Sequence, residues 1–337
     1  MKLGHDEEFL SIEGLSMLQP DRLPAAEDVI KAYQIVRKYA YRTPVLTSRS
    51  VNAILNADLY LKCENFQRVG AFKFRGASNA VFNLTDDESK KGVTTHSSGN
   101  HAAGLALAAS IRGIPSYIVM PENAPAIKKK AVESYGGEIT YCKPTQKDRE
   151  DTLRQIQMQT GAVFIHAYNN FNVICGQGTA SLELLDEYPD LDVVIAPVGG
   201  GGLLSGTLTY TKGFRSAIQV YGTEPLNADD AFRSLRDKTI HPSVNPNTIA
   251  DGLRTALCEL TYQIISSKCD GILTVTEEGI IRAMRMVWER MKIIIEPSSA
   301  VPIAAMLEHP QYFAGKKVGT IISGGNVDLE DLPFKSE

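Results

Sequence analysis

The chain has 337 residues, of which 43% are hydrophobic and 22% charged, and its formal net charge is -4. This length fits two domains of ordinary size or one large one, and the composition is typical of a globular protein with an ample core. The mild acidity, and the lack of a basic run interleaved with aromatic residues, argue against a nucleic-acid binder. The dense basic cluster Lys128–Lys130 is predicted to be the solvated face of a helix.

Cysteine usage and the N-terminus indicate the compartment. The five cysteines are scattered without a CxxC pair, so neither a disulfide framework nor a structural zinc site is expected. The first residues are acidic and lack the apolar core of a signal peptide, and no apolar stretch reaches the roughly 18–20 residues that span a bilayer. We therefore expect a cytoplasmic protein in a reducing compartment.

The first part of the chain contains one predicted helix and one predicted strand before a lysine with apolar neighbours. Residues 1–23 have no clear periodicity and are expected to form a loosely attached arm. Apolar residues at helical spacing follow Pro24. A short strand at Leu59–Cys63 leads to Lys73, and a helix is predicted after it, at about 77–84.

From residue 92 onwards, predicted strands and helices alternate in two blocks. The first block has strands at 92–96, 115–120, 138–141 and 162–165, with helices at 101–111, 125–135 and 148–159. In the second, residues 176–179 precede a helix through 185, with strands at 191–196, 219–223 and 317–322 and helices from 203 and at 277–292. Such alternation predicts an α/β fold with doubly wound, mostly parallel open sheets. We expect a large domain of residues 1–91 and 166–337, a small domain of residues 92–165, and a binding cleft between them.

Lys73 lies between two aromatic residues, Phe72 and Phe74, and has a glycine on either side, at Gly70 and Gly76. Apolar neighbours remove water from an amine and lower its pKa. A partly neutral amine can attack a carbonyl carbon and form a Schiff base. Most lysines are solvated surface groups, however, so this stretch alone does not decide whether Lys73 is a reactive amine or a surface group.

Four consecutive glycines, Gly199–Gly202, follow a strongly apolar strand and precede a helix. Without Cβ atoms, their N–H groups can converge on a phosphate, and the following helix adds its positive end. One alternative is a tight turn that needs unusual dihedral angles. Another is a dinucleotide fold, for which Glu224 stands where a ribose-binding acid is expected, although Leu203 and Leu204 replace the last glycine of GxGxxG.

Oxygen-bearing side chains are concentrated after the strand that ends near Glu224. Asn227, Asp229 and Asp230 follow within six residues, and several hard oxygen donors at this spacing suit Mg²⁺ or Ca²⁺. The alternative is a capped helix start, with Asn227 as the N-cap and the acids in the first turn.

Two further polar turns follow predicted strands. They are Ser97-Ser98-Gly99-Asn100-His101 and Ser323-Gly324-Gly325-Asn326. The first could hold a carboxylate while Asn100 donates to a phenolate oxygen, or it could simply be a helix N-cap. The second could equally be a glycine-rich turn without chemistry.

One cofactor would use all of these groups. Pyridoxal phosphate needs an amine for a Schiff base, a phosphate cradle, a donor to its O3′ oxygen and a partner for its ring nitrogen. In open α/β sheets, ligands bind at the carboxyl ends of the strands, where the predicted turns lie. The sequence therefore predicts a pyridoxal-phosphate enzyme.

The chain from about Arg42 onwards resembles the fold-type II pyridoxal-phosphate enzymes of the serine/threonine dehydratase and serine racemase family, whose fold is like that of the tryptophan synthase β chain. The resemblance rests on specific motifs in the family's order: GAFKFRGA, HSSGNH, GQGT, PVGGGG, EPLNADD, TIADG, VWERMK and IISGGNVDL. It is greatest to the eukaryotic-type serine racemases. It implies two open-sheet domains with the cofactor in the cleft between them, and a homodimer.

The resemblance assigns roles to the residues that match these motifs. Lys73 would bind the cofactor and Phe72 would pack on its ring. The phosphate would be held by Gly199, Gly200, Gly201, Gly202 and Leu203, while Asn100 would bond O3′ and Ser323 would face the ring nitrogen. The substrate carboxylate would be bound by Ser97, Ser98, Gly99, Asn100 and His101. Mg²⁺, or Mn²⁺ or Ca²⁺ in its place, would be bound by Glu224, the Ala228 carbonyl and Asp230.

Ser98 bears on which reaction the resemblance implies. The racemases use a serine at this position as a second acid, on the face of the substrate opposite the lysine. Many threonine dehydratases have alanine there, whereas related hydroxyaspartate dehydratases share the serine. The resemblance therefore favours a serine racemase that also eliminates water from serine or threonine, with a dedicated L-threonine/L-serine or threo-3-hydroxyaspartate dehydratase as the alternative.

Some positions depart from the animal racemases. Val69, Ala71, Ala102 and Ala103 replace residues near the nucleotide site of those enzymes, so ATP activation is not carried over. Tyr168 stands where they have an asparagine near the cofactor. Two alternatives lie outside this family. A nucleotide-binding oxidoreductase would need the GxGxxG motif, which is missing, and a non-catalytic ligand-binding protein would give Lys73 no function.

Overall fold

The computed structural model describes residues 21–124 and 126–334, and these ranges contain ten strands in two open sheets. The larger sheet consists of β1 (Val45–Leu46), β2 (Asp58–Cys63), β7 (Val193–Pro197), β8 (Gln219–Pro225), β9 (Gly271–Val275) and β10 (Lys317–Ile322). The strands lie in the order β1-β2-β10-β7-β8-β9, and all neighbours are parallel except β1 and β2. The predicted mostly parallel sheet is therefore confirmed.

The smaller sheet has four parallel strands from the middle of the chain. They are β3 (Val93–His96), β4 (Ser116–Pro121), β5 (Glu138–Cys142) and β6 (Val163–Phe164), in the order β5-β4-β3-β6. All four strands were predicted, and their ends differ from the prediction by a single residue. The domain boundaries stay a prediction, which this division of the strands supports.

Thirteen α-helices occur within the described ranges. They are α1 (Ala26–Val36), α2 (Arg49–Leu55), α3 (Lys73–Phe82), α4 (Asp86–Lys91), α5 (Asn100–Arg112), α6 (Ala126–Ser134), α7 (Gln146–Thr160), α8 (Phe171–Glu187), α9 (Gly202–Phe214), α10 (Asp230–Asp237), α11 (Glu259–Lys268), α12 (Glu277–Met291) and α13 (Pro297–Glu308). None of them has the length and apolarity that a membrane span requires. The predicted helix start at Pro125, and residues 1–20 of the predicted N-terminal arm, lie outside the described residues.

The central strand β7 serves two apolar cores. All five of its residues are buried. Val193 and Ile195 belong to a cluster that includes residues of α12 and α13, whereas Val194 and Ala196 belong to one that includes residues of α8 and α9. Helices therefore cover both faces of the sheet, which explains the uninterrupted apolar run in the sequence.

The helix that carries Lys73 begins earlier than the sequence indicates. The predicted start was near Ala77, but α3 starts at Lys73 itself. Gly76 weakens the helical pattern, yet it lies where α3 packs against α8. A Cβ atom at Gly76 would be 2.8 Å from the Val173 carbonyl oxygen. Close packing between two helices therefore overrides the low intrinsic propensity of glycine.

Residues 176–179 do not precede a helix as predicted, because they lie inside α8. A Cβ atom at Gly176 would be 2.7 Å from the Arg75 carbonyl oxygen, and one at Gly178 would be 2.7 Å from the Gly206 carbonyl oxygen. These glycines allow α8 to approach α3 and α9 closely. They set the packing behind the site and do not form a turn.

Candidate active site

The segment before Lys73 is fixed to the chain that follows β10. The Phe72 N–H donates to the Ser323 carbonyl at 2.9 Å, and the Gly325 N–H donates to the Gly70 carbonyl at 2.9 Å. Strands β2 and β10 are parallel neighbours, so both segments leave the same edge of the sheet. The segment before Lys73 and the predicted turn that begins at Ser323 therefore meet at the carboxyl ends of the strands.

The Lys73 amine lies in an environment that favours its neutral form. Its Nζ donates to the Ala167 carbonyl at 3.1 Å and is 5.1 Å from the centroid of the Phe72 ring. Burial lowers the pKa of this amine to about 8, although the charge on Glu296 acts in the opposite direction. A fraction of such an amine is neutral near physiological pH and is therefore nucleophilic.

A buried charge cluster fixes the first turn of α3. The Arg75 guanidinium donates to both oxygens of Glu64, at 2.6 and 2.8 Å, and to both oxygens of Glu183, at 3.0 and 2.7 Å. The Lys62 ammonium lies 2.6 Å from the same Glu183. Two acids and two bases are thus paired without access to water, and they join β2, α3 and α8 directly behind Lys73.

The glycine loop Gly199–Gly202 connects β7 to α9. Gly201 has a φ of +86°, which a tight turn would explain. At Gly200, glycine is required because of a close contact: a Cβ atom there would lie 2.3 Å from Cε1 of Tyr168. In the described part of the chain, no acceptor takes the N–H groups of Gly199, Gly200 or Gly201, and all three residues are buried. Unpaired buried N–H groups at a helix start form an anion cradle.

The Ser323 side chain is held by a neutral partner. Its hydroxyl lies 2.9 Å from the Ser299 hydroxyl. Ser299 in turn donates to the Gly324 carbonyl at 2.7 Å and accepts from the Gly324 N–H at 2.8 Å. The turn after β10 therefore presents a fixed and uncharged hydroxyl to the site.

Asn100 begins α5, and its side-chain amide is held on both sides. Nδ2 donates to the two oxygens of Glu296 at 3.2 and 3.1 Å, and Oδ1 accepts from Asn326 Nδ2 at 2.9 Å. The N-cap residue of α5 is Gly99, and no side chain caps the helix. The interpretation of Ser97, Ser98 or Asn100 as a plain N-cap is therefore wrong.

Two histidines at the site are neutral. Burial lowers the pKa of His101 and that of His166 to about 3. Nε2 of His101 lies 2.9 Å from the Ile165 carbonyl and must carry the proton in that hydrogen bond. Nδ1 of His166 accepts from the backbone N–H groups of Tyr168 and Asn169. The imidazoles therefore add no positive charge.

A cavity of about 640 Å³ lies between the carboxyl edges of the two sheets. All residues predicted to bind the cofactor or the substrate line it: Phe72, Lys73, Ser97, Ser98, Gly99, Asn100, His101, Gly199, Gly200, Gly201, Gly202, Leu203 and Ser323. Residues more than two hundred positions apart in sequence thus share one site.

Three charged residues are notable among the lining residues that had not been assigned to the cavity from the sequence. Glu296, at the start of α13, is buried, and burial raises its pKa to about 7. Arg149 of α7 reaches in from the smaller sheet, and its Nε is buried without a partner in the described ranges. Lys128 was predicted on a solvated face, but it is half-buried and its Nζ lies 2.5 Å from Asp251. The sequence had a weak signal only for Glu296, an acid at the end of an apolar run.

The predicted cation ligands lie at the end of β8 and in the turn that follows it, and they do not line the cavity. Glu224, Ala228 and Asp230 are all buried. Neither carboxylate oxygen of Asp230 makes a hydrogen bond of good geometry to a described residue, although the nearby Ser243 hydroxyl acts to lower the pKa of this acid. Burial raises the pKa of Asp230 to about 6 and that of Glu224 well above its ordinary range. In the same ranges, no three His, Cys, Asp or Glu side chains are arranged to hold a metal ion, so a cation here would need the backbone carbonyl as well.

The alternative of a capped helix start is wrong in its main detail. Asn227 lies in a single 3₁₀ turn, and the N-cap of α10 is Asp229, whose side chain makes no capping bond. Glu224 instead accepts the N–H groups of Ala231 at 3.0 Å and Phe232 at 2.9 Å. The first turn of α10 is therefore satisfied from the end of β8.

Comparison with known proteins identifies the family. A family model described as "Pyridoxal-phosphate dependent enzyme" matches residues 36–324. The chain is 49% identical over 321 residues to a serine racemase of Dictyostelium discoideum, covering 94% of this chain and 98% of that protein. It is 46% identical over 312 residues to a beta-hydroxyaspartate dehydratase of Paracoccus denitrificans (strain Pd 1222), covering 93% and 99%. The solved structure of serine racemase from Dictyostelium discoideum is similar with a TM-score of 0.88 at 49% identity, covering 91% of this chain and 99% of that one. The chain therefore belongs to the family of pyridoxal-phosphate dependent enzymes.

Proposed function

We propose that this protein is a serine racemase that also removes water from serine and threonine, releasing ammonia and an α-keto acid. One observation carries the proposal: the Lys73 amine, with its pKa lowered to about 8, lines the same cavity as the Ser98 hydroxyl. Racemisation needs a proton acceptor on one face of the α-carbon and a proton donor on the other. Lys73 begins α3 and Ser98 follows β3 of the smaller sheet, which supports an arrangement on opposite faces.

The residues present fit pyridoxal phosphate. The unpaired N–H groups of Gly199, Gly200 and Gly201 supply donors for a phosphate, and the start of α9 adds its positive end. Phe72 offers a ring to pack against, and Ser323 offers a neutral hydroxyl for a ring nitrogen. When bound, the cofactor supplies an electron sink that acidifies the α-hydrogen of an amino acid.

The chain's own residues would then bind the substrate and move protons. Nζ of Lys73 takes the α-proton, and Oγ of Ser98 returns a proton to the opposite face. No protein group in the described ranges hydrogen bonds to the Ser98 hydroxyl, which supports its availability for this step. The Asn100 amide nitrogen, which donates to both oxygens of Glu296, is the donor that we assign to O3′.

The substrate carboxylate is assigned to the start of α5. Ser97, Ser98, Gly99 and Asn100 contribute hydroxyl and N–H donors there. For His101 we propose the backbone N–H as the donor, because its neutral ring already donates to the Ile165 carbonyl. Ser323 adds no proton to the ring nitrogen, and this favours loss of a β-hydroxyl over a long-lived carbanion.

A dehydratase for threo-3-hydroxyaspartate is the second candidate, and Arg149 favours it. Of the other guanidinium and ammonium groups at the cavity, Lys128 pairs with Asp251 and Arg254 donates to the Thr248 carbonyl. Arg149 forms no ion pair or hydrogen bond through its side chain with any described residue, and its Nε is buried. A second carboxylate on the substrate would satisfy this guanidinium, whereas the hydroxymethyl group of serine would not.

We include in the proposal a divalent cation, Mg²⁺ or Mn²⁺ or Ca²⁺, bound by Glu224, the Ala228 carbonyl and Asp230. The burial of both carboxylate oxygens of Asp230 supports it, and a cation would offset the burial that raises the pKa of both acids. Activation by ATP is not part of the proposal. The homodimer and the cytoplasmic location stay predictions.

The first experiment tests the cofactor. The purified protein should be yellow, and borohydride reduction should fix the cofactor on Lys73, as located by peptide mass spectrometry. The protein is then incubated separately with L-serine, L-threonine and threo-3-hydroxyaspartate, and D-serine, pyruvate, 2-oxobutyrate and oxaloacetate are measured. D-Serine formation supports the racemase, and turnover of hydroxyaspartate alone supports the second candidate. A colourless, unreactive protein refutes both.

Two substitutions separate the candidates further. Ser98→Ala should abolish D-serine formation while L-serine elimination continues, whereas Ser97→Ala, which removes a donor to the substrate carboxylate, should slow both reactions alike. An equal loss of both reactions contradicts the role of Ser98 as proton donor. Arg149→Met should lower kcat/KM for threo-3-hydroxyaspartate by roughly 30-fold or more, which corresponds to a loss of about 2 kcal/mol of transition-state stabilisation. It should leave L-serine turnover nearly unchanged. Arg154→Met on the exposed side of the same helix is its control.

A further inference from the structure

The turn that precedes Lys73 is strained. Val69 has φ 56° and ψ 12°, a left-handed conformation that β-branched residues rarely adopt. It is the only β-branched residue with a positive φ in the described ranges. The next residue, Gly70, is left-handed as well, with a φ of +67°. Such a conformation persists only where surrounding contacts hold it, and such sites cluster near ligands.

Asn326 supplies the side-chain contact to this turn. Its Nδ2 donates to the Val69 carbonyl at 2.8 Å. A Cβ atom at Gly70 would lie only 2.6 Å from Asn326 Oδ1, so the amide lies directly against the turn. No other side chain in the described ranges hydrogen bonds to the Val69 carbonyl.

The same amide reaches across the cavity rim. Nδ2 of Asn326 also donates to Asn100 Oδ1 at 2.9 Å, and its backbone N–H donates to Glu296 Oε2 at 3.3 Å. Because Asn100 Nδ2 donates to Glu296, the three residues form a closed ring of hydrogen bonds. Asn100 belongs to the smaller-sheet side, and the other two belong to the larger-sheet side. One exposed side chain thus links the two sides of the site.

We propose that Asn326 is a positioning residue that holds the strained turn before Lys73 and the amide of Asn100 in one fixed arrangement. Both groups then face the cofactor at the same time. The inference rests on the proposed roles of Lys73 and Asn100. Asn326 is exposed, so its removal leaves the apolar cores intact and changes only these contacts.

The test compares Asn326→Ala with Asn65→Ala in the holoenzyme. Asn65 makes a similar bond between loops, from Nδ2 to the Ile294 carbonyl at 3.1 Å, but it does not line the cavity. Equilibrium dialysis should give Asn326→Ala a cofactor Kd about tenfold or more above that of the wild type. Amide hydrogen exchange at Phe72, whose N–H is bonded to Ser323, should accelerate by a similar factor. Asn65→Ala should change neither quantity.

A second substitution tests the mechanism by which Asn326 acts. Glycine accepts a left-handed φ without strain, so Val69→Gly in the Asn326→Ala background should restore most of the exchange protection at Phe72. If Asn326→Ala matches Asn65→Ala in both measurements, or if the double variant keeps the full defect, the inference is wrong. A wild-type protein that does not hold the cofactor on Lys73 would instead refute the proposed function, so the two failures are distinguishable.

Discussion

Replacing Lys73 by methionine should stabilise the cofactor-free protein at neutral pH. Methionine keeps an apolar stem of similar length and removes an ammonium whose pKa burial lowers from 10.5 to about 8. A shift of this size corresponds to a penalty of about 3 kcal/mol on the charged form. Because the side chain is only partly buried, and because the substitution removes the hydrogen bond to Ala167, we expect a net gain of about 1–2 kcal/mol.

The gain in unfolding free energy of Lys73→Met over the wild type should decrease as the pH rises. The folded amine loses its proton near pH 8 and the unfolded amine near pH 10.5. The penalty is therefore fully present below about pH 8 and fades as the pH rises to about 10.5. Urea denaturation of cofactor-stripped wild type and Lys73→Met should give a difference in unfolding free energy that narrows over this range. Lys130→Met, at an exposed lysine, is the control. A difference that stays constant with pH, or a variant less stable than the wild type at pH 7, would refute the reasoning.

Three further substitutions test the glycine loop, the buried charge cluster behind Lys73 and the proposed cation site. Gly200→Ala should cost about 1–3 kcal/mol of unfolding or cofactor-binding free energy, because its Cβ would clash with the Tyr168 ring. Adding Tyr168→Ala should recover most of that loss, and no recovery would contradict the clash. Arg75→Met should lower the free energy of unfolding in urea by about 3–5 kcal/mol, since it leaves buried Glu64 without its ion-pair partner and Glu183 with Lys62 alone, against at most about 1 kcal/mol for the surface variant Arg154→Met. Asp230→Asn should abolish the rise in Tm that Mg²⁺ is expected to give the wild type, and an unchanged rise would exclude the proposed cation site.

Strands buried on both faces were the part of the fold that could be predicted best. β10 is observed at Lys317–Ile322, as predicted, because a central parallel strand reads as an apolar run bounded by turns. In the edge strand β9, Gly271 and Thr274 are only partly buried, and because of this mixed pattern the strand was not predicted from the sequence. The late start predicted for α3 has a related cause, since helix packing that permits a glycine is not visible in one sequence.

The site residues that lie in the turns after strands, or in the first helical turn that follows them, could be predicted, whereas Arg149 inside α7 and Glu296 at the N-cap of α13 could not. Glycines and serines at strand ends have few structural explanations, and the topology brings strand ends together. Glu296 and Arg149 enter the cavity only because α13 and α7 pack where they do. The bond between Asn100 and Glu296 spans 196 positions, and no local pattern encodes a contact at that distance.

Most groups assigned to the cofactor come from the larger sheet and most groups assigned to the substrate come from the smaller one, with Asn100, assigned to O3′, as the exception. Lys73, the glycine loop and Ser323 follow strands of the larger sheet, whereas Ser98 and Arg149 belong to the smaller one. Substitutions at Ser98 or Arg149 can therefore change the reaction while the cofactor contacts from the larger sheet stay in place. A serine racemase and a beta-hydroxyaspartate dehydratase are both nearly half identical to this chain. We propose that the two roles are independent: Ser98 would determine whether a proton returns to the opposite face of the substrate, and Arg149 would determine whether a second carboxylate is accepted.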